Sequence, residues 1–153
     1  MRFFEQKRLS RFLEFALVFA MVLAAVLMVT LPWSIPDVTG RVPGEPERLY
    51  EKYFTVLMVS GLMAELILWQ ARRVMHNINR ETVFSDDTVK RLDIMGWEAL
   101  AIALFYFIMV FFVHKFFMVV VFVAFTIIGL VLFVLAQLFR DAVNYKNEND
   151  MTI

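Results

Sequence analysis

Residues 94–139 read IMGWEALAIALFYFIMVFFVHKFFMVVVFVAFTIIGLVLFVLAQLF. The ionisable residues in this segment are Glu98, near its start, and His114-Lys115, near its middle. A single helix through it would reach about 50 residues and about 75 Å, whereas the hydrocarbon core of a bilayer is about 30 Å thick. The segment therefore predicts two membrane-crossing helices joined by a tight turn, with Lys115 at the outer surface.

Two further apolar stretches, 15–33 and 53–71, have the same length and character. The 153 residues are 61% hydrophobic, well above the 45–50% or so of soluble domains. We expect an all-α fold: one membrane domain over 1–153, an integral membrane four-helix bundle with short connections and antiparallel neighbours. The expected spans are about 12–33, 53–72, 94–113 and 116–140, with an outer loop at 34–52, an inner loop at 73–93 and a tail at 141–153.

Basic residues are distributed unevenly between the two sides of this arrangement. Eleven Lys and Arg lie in the N-terminal segment, between the second and third stretches, and after the fourth, against four in the other two connections. Because Lys and Arg concentrate on the cytoplasmic side, both termini are predicted to be cytoplasmic. We expect the first stretch to be retained as a span, since no A-x-A cleavage site precedes Pro32-Trp33.

Several local signals refine the helix boundaries. Ser85-Asp86-Asp87 indicates a helix start, a hydroxyl cap followed by carboxylates that suit the positive helix end. The second helix is expected to continue to about Asn79, and the fourth to continue past Arg140 as a polar helix. Small residues spaced four apart in the first span favour close helix packing: Ala16, Ala20 and Ala24.

Acidic residues inside the spans are costly and mark candidate sites. Glu65 precedes Arg72 by seven residues and Glu98 follows Arg91 by seven, which predicts a matching depth on neighbouring helices. With Gln137 they form a candidate polar intramembrane site, in which two close carboxylates would share a proton or bind a cation. Alternatively, both reach the headgroups, or bond to Gln137 or to a basic residue on the inner side.

Chemistry-bearing motifs are otherwise sparse. The chain has no Cys, which excludes thiol catalysis and thiolate metal sites. His76 and His114 are predicted to lie on opposite sides, so they cannot share a metal. No catalytic or nucleotide-binding motif is present, and the basic inner segments are too small for nucleic acid. We therefore expect no enzyme, no cofactor and no direct nucleic-acid binding; lipid is a partner, and a homo-oligomer is an open alternative.

Two segments, 83–97 and 135–153, contain Phe84-Ser85, Gly96-Trp97, Phe139-Arg140 and a closing Glu-Asn-Asp-Met-Thr-Ile. They resemble a family of small four-span bacterial membrane proteins designated domain of unknown function 2975. Ala142 and Glu98 depart from its usual glycine and apolar residue. The resemblance implies a bacterial inner-membrane protein, and some members are encoded beside a small helix-turn-helix regulator. It implies no catalytic residues.

These segments also define a candidate cytoplasmic docking motif, formed by Phe84, Gly96, Trp97, Phe139, Arg140, Glu148, Asn149, Asp150 and Thr152. The leading hypothesis is a non-enzymatic regulator or adaptor whose cytoplasmic face binds a partner protein; a transcription regulator is suggested by the resemblance alone. The alternative is a small transporter or ion-conducting homo-oligomer that uses Glu65 and Glu98.

Overall fold

Four helices make up the part of the chain that the structure, a computed structural model, describes: residues 2–39, 48–80 and 82–152, with side chains described at 8–34, 51–80 and 82–152. The helices are α1 (Arg2–Thr39), α2 (Arg48–Asn79), α3 (Asp86–Val113) and α4 (Phe116–Met151). Each is long and apolar enough to cross a membrane. The expected all-α architecture with four such helices is confirmed.

The helices are longer than the predicted spans. α1 continues to Thr39 and α2 begins at Arg48, so helix occupies both flanks of the expected outer loop; its central part, 40–47, lies outside the described residues. α2 ends at Asn79, as predicted, and α4 continues eleven residues beyond Arg140 to Met151. Polar residues thus continue the helices beyond the apolar spans.

α3 begins as the sequence predicts. Ser85 is its N-cap, with extended backbone angles, and its hydroxyl accepts a hydrogen bond from the Thr88 backbone N–H at 3.3 Å. Asp86 and Asp87 occupy the first turn, where negative charge offsets the positive end of the helix dipole. Thr88 is fully buried beneath this cap, so the cap fixes both the start and the orientation of the helix.

The predicted tight turn joins α3 to α4 at His114 and Lys115. His114 has φ 49° and ψ 36°, the left-handed conformation that ends many helices, and its N–H donates to the Val110 carbonyl at 3.1 Å. Glycine is the usual residue in this conformation. Lys52 of α2 reaches the same place and donates from Nζ to the Phe112 carbonyl at 3.4 Å, where positive charge suits the helix terminus.

The helices pack in chain order. Cα atoms of different helices approach within 8 Å only between α1 and α2, α2 and α3, and α3 and α4, over the described ranges. These neighbours are antiparallel, as expected. The first and last helices do not meet, so the described residues form an open arrangement and lack the closure of a four-helix bundle. We call the end with the His114-Lys115 turn the hairpin end, and the opposite end, where α3 begins, the basic end.

α2, α3 and α4 share the main hydrophobic core. Its fully enclosed members are Val56, Ile102, Tyr106, Val113 and Met118. The Tyr106 hydroxyl lies 2.9 Å from Ser60 Oγ, so a polar contact links α2 to α3 inside this core. None of the described α1 side chains belongs to the core cluster. The fold is therefore a three-helix core with α1 packed against the outer side of α2.

Two glycines let α3 and α4 approach closely. A methyl group at Gly129 would lie 2.9 Å from the Leu100 side chain and 3.2 Å from the Gly96 carbonyl oxygen. A methyl group at Gly96 would lie 2.9 Å from the ring of Phe133. Close approach of the two backbones is what small residues allow at helix interfaces, and over the described ranges this interface is the most extensive of the three.

Candidate functional site

Polar side chains from all four helices meet at the basic end. We call this set the polar belt; its members are Glu14, Gln70, His76, Asn77, Asn79, Asp87, Thr88, Arg91, Asp93 and Arg140. It is built from three groups of contacts, each joining two consecutive helices. The belt therefore connects consecutive helices at the basic end through polar contacts, in addition to their apolar packing.

The first group joins α1 to α2 through the Glu14 carboxylate. Its Oε1 lies 3.2 Å from His76 Nδ1, and its Oε2 accepts a hydrogen bond from Asn79 Nδ2. The Glu14 side chain is only 26% exposed. A partly buried carboxylate is stable when donors surround it, and α2 supplies both.

The second group joins α2 to the first turns of α3. Asn77 Nδ2 donates to Asp87 Oδ2 at 2.7 Å and to Thr88 Oγ1 at 3.2 Å. Arg91 donates from Nε to Asp87 Oδ2 and from Nη1 to Gln70 Oε1, both at 2.9 Å. Asp87 thus accepts from two helices at once. Arg91 extends the contact to Gln70, about two helical turns further along α2.

The third group joins α3 to α4. The Arg140 guanidinium forms an ion pair with Asp93, and the rings of Phe84 and Phe139 lie 5.7 Å apart beside it. An aromatic contact and an ion pair, from residues about fifty positions apart, therefore fix the point at which α4 leaves the core.

Glu98 lies on the face of α3 that is directed toward α2. It follows Arg91 by seven residues and precedes Tyr106 by eight, and both of these residues contact α2; such spacings place all three on one helix face. Its Oε2 is buried and has no hydrogen-bond partner in the described part of the chain. A buried oxygen without a donor costs about 1–3 kcal/mol.

Glu65 lies on the opposite face of α2. It follows Gly61 by four residues and precedes His76 by eleven, and these two face Met28 and Glu14 of α1. Helical periodicity therefore directs Glu65 toward α1. Its Oε1 is likewise buried and unpartnered among the described residues. Both glutamates lie between the basic and hairpin ends, but α2 separates their side chains.

Gln137 does not join either glutamate. It is exposed on α4, where its Nε2 donates to Asp141 at 3.1 Å and its Oε1 accepts from Arg140 at 3.2 Å. The three residues of the candidate intramembrane site therefore occupy three different surroundings within one chain.

Five residues of the candidate docking motif come together along the α3–α4 interface. Phe84 pairs with Phe139, Arg140 with Asp93, and Trp97 packs edge-on against Phe133 at 5.3 Å, while Gly96 makes room for the same ring. Residues about forty to fifty positions apart in sequence are therefore neighbours in space. Their contacts position the base of the polar, exposed end of α4, residues 144–152, which we call the α4 extension.

The other four residues of the docking motif lie at the far end of α4. Glu148, Asn149 and Asp150 are exposed. Thr152 ends the helix: its N–H donates to the Asn149 carbonyl at 3.4 Å, and its hydroxyl lies 2.9 Å from the same oxygen. The structure therefore separates the motif into a packed part and an exposed part.

In the described ranges, no three His, Asp or Glu side chains gather closely enough to hold a metal ion. What the geometry provides is a polar belt that links the helices and a polar helical extension that projects from it.

Comparison with known proteins gives one match. The model of the family described as "Protein of unknown function (DUF2975)" matches residues 32–153. No curated protein matches the chain, and no solved structure matches it. The matched segment contains α2, α3 and α4 completely but only the last eight residues of α1. The match therefore covers the whole three-helix core and little of α1.

Proposed function

This chain belongs to the family described as "Protein of unknown function (DUF2975)", and from that premise we propose that it is a small multi-pass protein of the bacterial inner membrane. In this proposal both termini are cytoplasmic, and the basic end binds a partner protein. The function is that of a regulator or adaptor, without catalysis.

The placement in the membrane is supported by the surface of the helices. Large apolar side chains are exposed along all four, including Phe19, Leu62, Leu104 and Ile127. In water, contiguous exposed apolar surface of this extent would promote aggregation, whereas lipid solvates it. The concentration of Lys and Arg at the basic end orients that end toward the cytoplasm.

The α4 extension is the observation that carries the proposed adaptor function. Val143 is still buried, but residues 144–152 are exposed. They nevertheless continue helix α4 to Met151. The contacts of Phe139 and Arg140 hold the base of this extension in place. A segment that is already helical loses less conformational entropy on binding than an unordered one, so this exposed helix is suited to present Glu148, Asn149 and Asp150 to a partner.

The partner that we propose is a small helix-turn-helix transcription regulator, on the resemblance to family members encoded beside one. Binding at the basic end would hold such a regulator at the membrane and away from DNA. The exposed carboxylates of the extension suit a partner surface with basic side chains.

The test is co-purification with a helix-turn-helix regulator from the genomic neighbourhood. The full chain, tagged at its N-terminus, is co-expressed with the regulator and extracted in mild detergent. Deletion of residues 148–153 is expected to reduce recovery of the regulator at least tenfold while the chain remains in the membrane fraction. A variant with residues 148–153 in scrambled order preserves length and charge, and it is expected to lose most of the binding.

Three outcomes would contradict the adaptor function: no recovery of the regulator with the intact chain, unchanged recovery after the deletion, and full binding by the scrambled variant. The last would show that net charge alone is recognised.

The rival function, a transporter or ion-conducting oligomer, is favoured by the unpartnered oxygens of Glu65 and Glu98. Helix α2 lies between the two side chains, because Glu98 of α3 faces one side of α2 and Glu65 points from the other. A single chain would therefore use the two carboxyl groups in separate steps of transport. Purified protein in liposomes, assayed for proton and monovalent cation flux, distinguishes the two functions. The transporter predicts flux that Glu65→Gln or Glu98→Gln reduces at least tenfold, and the adaptor predicts the same background leak for all three proteins.

A further inference from the structure

The open arrangement leaves two helices with a single neighbour each. α1 approaches only α2, and α4 approaches only α3, within the described ranges. Each therefore has a face that packs against none of the other helices over the described ranges. We call these faces the α1 edge and the α4 edge.

Both edges are apolar along the proposed span. On α1, the residues Phe12, Phe15 and Phe19 are 66%, 70% and 61% exposed, and their spacing of three and four places them on one face. On α4, Ile127, Val134 and Leu138 are 56%, 61% and 59% exposed and likewise share a face. Apolar faces of this kind suit lipid and another helix equally, so they do not by themselves identify an occupant.

Charges at the basic end distinguish the two edges. The α1 edge continues into Arg8 and Arg11, which precede Phe12 and Phe15 by four residues each and are exposed. The α4 edge continues into Asp141 and Glu148, which follow Leu138 by three and ten residues and are exposed. None of these four side chains forms an ion pair in the described part of the chain. Among the described side chains, one edge thus ends in cations without an ion-pair partner and the other in anions without one.

The contacts between neighbouring helices show that these charges lie at similar heights. Glu14 is level with His76, and Asn77 with Asp87, since each pair is in contact. Gly129 of α4 is level with the α3 turn between Gly96 and Leu100, which it touches. Following antiparallel helices at 1.5 Å per residue from these contacts brings Arg8 and Arg11 to within about one helical turn of Glu148 and Asp141. The opposite charges therefore match in register although they lie at opposite sides of the molecule.

We propose that the α4 edge of one copy of this chain packs against the α1 edge of a second copy, with Asp141 and Glu148 facing Arg11 and Arg8. Both copies then have the same orientation in the membrane, and α4 runs antiparallel to its new neighbour, as every other pair of neighbours does. The contact is heterologous, so it repeats from copy to copy and generates a ring or a longer row. It rests on the membrane placement proposed above but not on the binding of a regulator.

The absence of cysteine gives a direct test in the full-length protein. Phe12→Cys and Tyr145→Cys are introduced together, and isolated membranes are treated with a mild oxidant. A heterologous contact is expected to give a ladder of covalent dimers, trimers and larger species on a denaturing gel. The matched control combines Phe12→Cys with Trp97→Cys, because Trp97 is 67% exposed but lies on α3; it is expected to give at least fivefold less product.

Charge reversal tests the pairing itself. In the Phe12→Cys/Tyr145→Cys background, Arg11→Glu is expected to reduce the ladder at least fivefold, and Arg11→Glu combined with Asp141→Arg is expected to restore it. Membrane-fraction recovery of each variant reports folding independently of cross-linking. The proposal is overturned if product stops at dimers, if the control pair cross-links as well as the test pair, if Arg11→Glu has no effect, or if the charge exchange fails to restore the ladder.

Discussion

Glu14 Oε1 lies 3.2 Å from His76 Nδ1, which joins residues that are 62 positions apart in the sequence. The contact matters because α1 contributes no side chain to the core cluster in the described residues. Its attachment rests on this carboxylate at the basic end and on packing such as that of Met28 over Gly61 toward the hairpin end.

A double-mutant cycle measures the Glu14–His76 contact. The coupling between Glu14→Ala and His76→Ala is expected to be about 0.5–1 kcal/mol, because both side chains are partly exposed and solvent screens the pair. The measurement is the free energy of reversible unfolding in detergent for the two single variants and the double variant. Simple additivity would mean that the contact contributes nothing to the docking of α1.

The glycines at two helix interfaces are expected to differ in their tolerance of alanine. At Gly129 the added methyl group meets the Gly96 backbone oxygen at 3.2 Å as well as Leu100, and a backbone cannot move aside cheaply. Gly129→Ala is therefore expected to destabilise the protein by about 1–3 kcal/mol. Gly61→Ala is the matched control: it meets only the flexible Met28 side chain, so its effect is expected to be small. Equal loss of unfolding free energy in both variants would contradict this reading of the α3–α4 interface.

His114, the residue with left-handed backbone angles at the hairpin end, predicts that two substitutions change the free energy of unfolding in opposite directions. His114 has φ 49°, a conformation that glycine adopts without steric cost and β-branched residues strongly resist. His114→Gly is expected to raise the free energy of unfolding by about 0.5–1 kcal/mol, and His114→Val is expected to lower it. Thermal denaturation followed by circular dichroism would test both; a stabilising valine would be incompatible with the turn.

The unpartnered carboxyl oxygen of Glu98 predicts a stabilising substitution. Glu98→Met replaces a buried oxygen that lacks a donor with an apolar side chain of similar length. The free energy of unfolding is expected to rise by about 1–3 kcal/mol, whereas Glu51→Met at an exposed position is expected to change it little. A loss of stability in Glu98→Met would show that the carboxyl group has a bonding partner in the membrane.

The sequence predicted the helices because lipid crossing imposes a local signal on each. The apolar lengths gave four helices, Ser85 gave the start of α3, and the impossibility of one 75 Å helix gave the turn at His114. Each of these depends on residues close together in the chain, and each is confirmed.

The sequence could not predict the features that depend on which helices are neighbours and which faces they turn toward each other. Glu65 and Glu98 are each seven residues from an arginine, which predicts their depth along the helix axis. The spacing does not predict toward which neighbouring helix each side chain points. Only contacts such as His76 with Glu14 reveal that Glu65 faces α1. The sequence also did not predict that α1 packs against α2 alone. A first helix with one neighbour has the same apolar composition as a first helix that packs against α4 and closes a bundle.

The family match begins at residue 32 and covers α2, α3 and α4 in full. A helix that lies mostly outside the matched segment, and whose described side chains do not join the core cluster, is free to accumulate substitutions, provided that it stays soluble in lipid and keeps a few polar anchors. Diversity among related proteins should accordingly concentrate in the first helix. If neighbouring copies meet through that helix, substitutions on its outward face would also decide whether two related proteins of this family assemble with each other or only with copies of themselves.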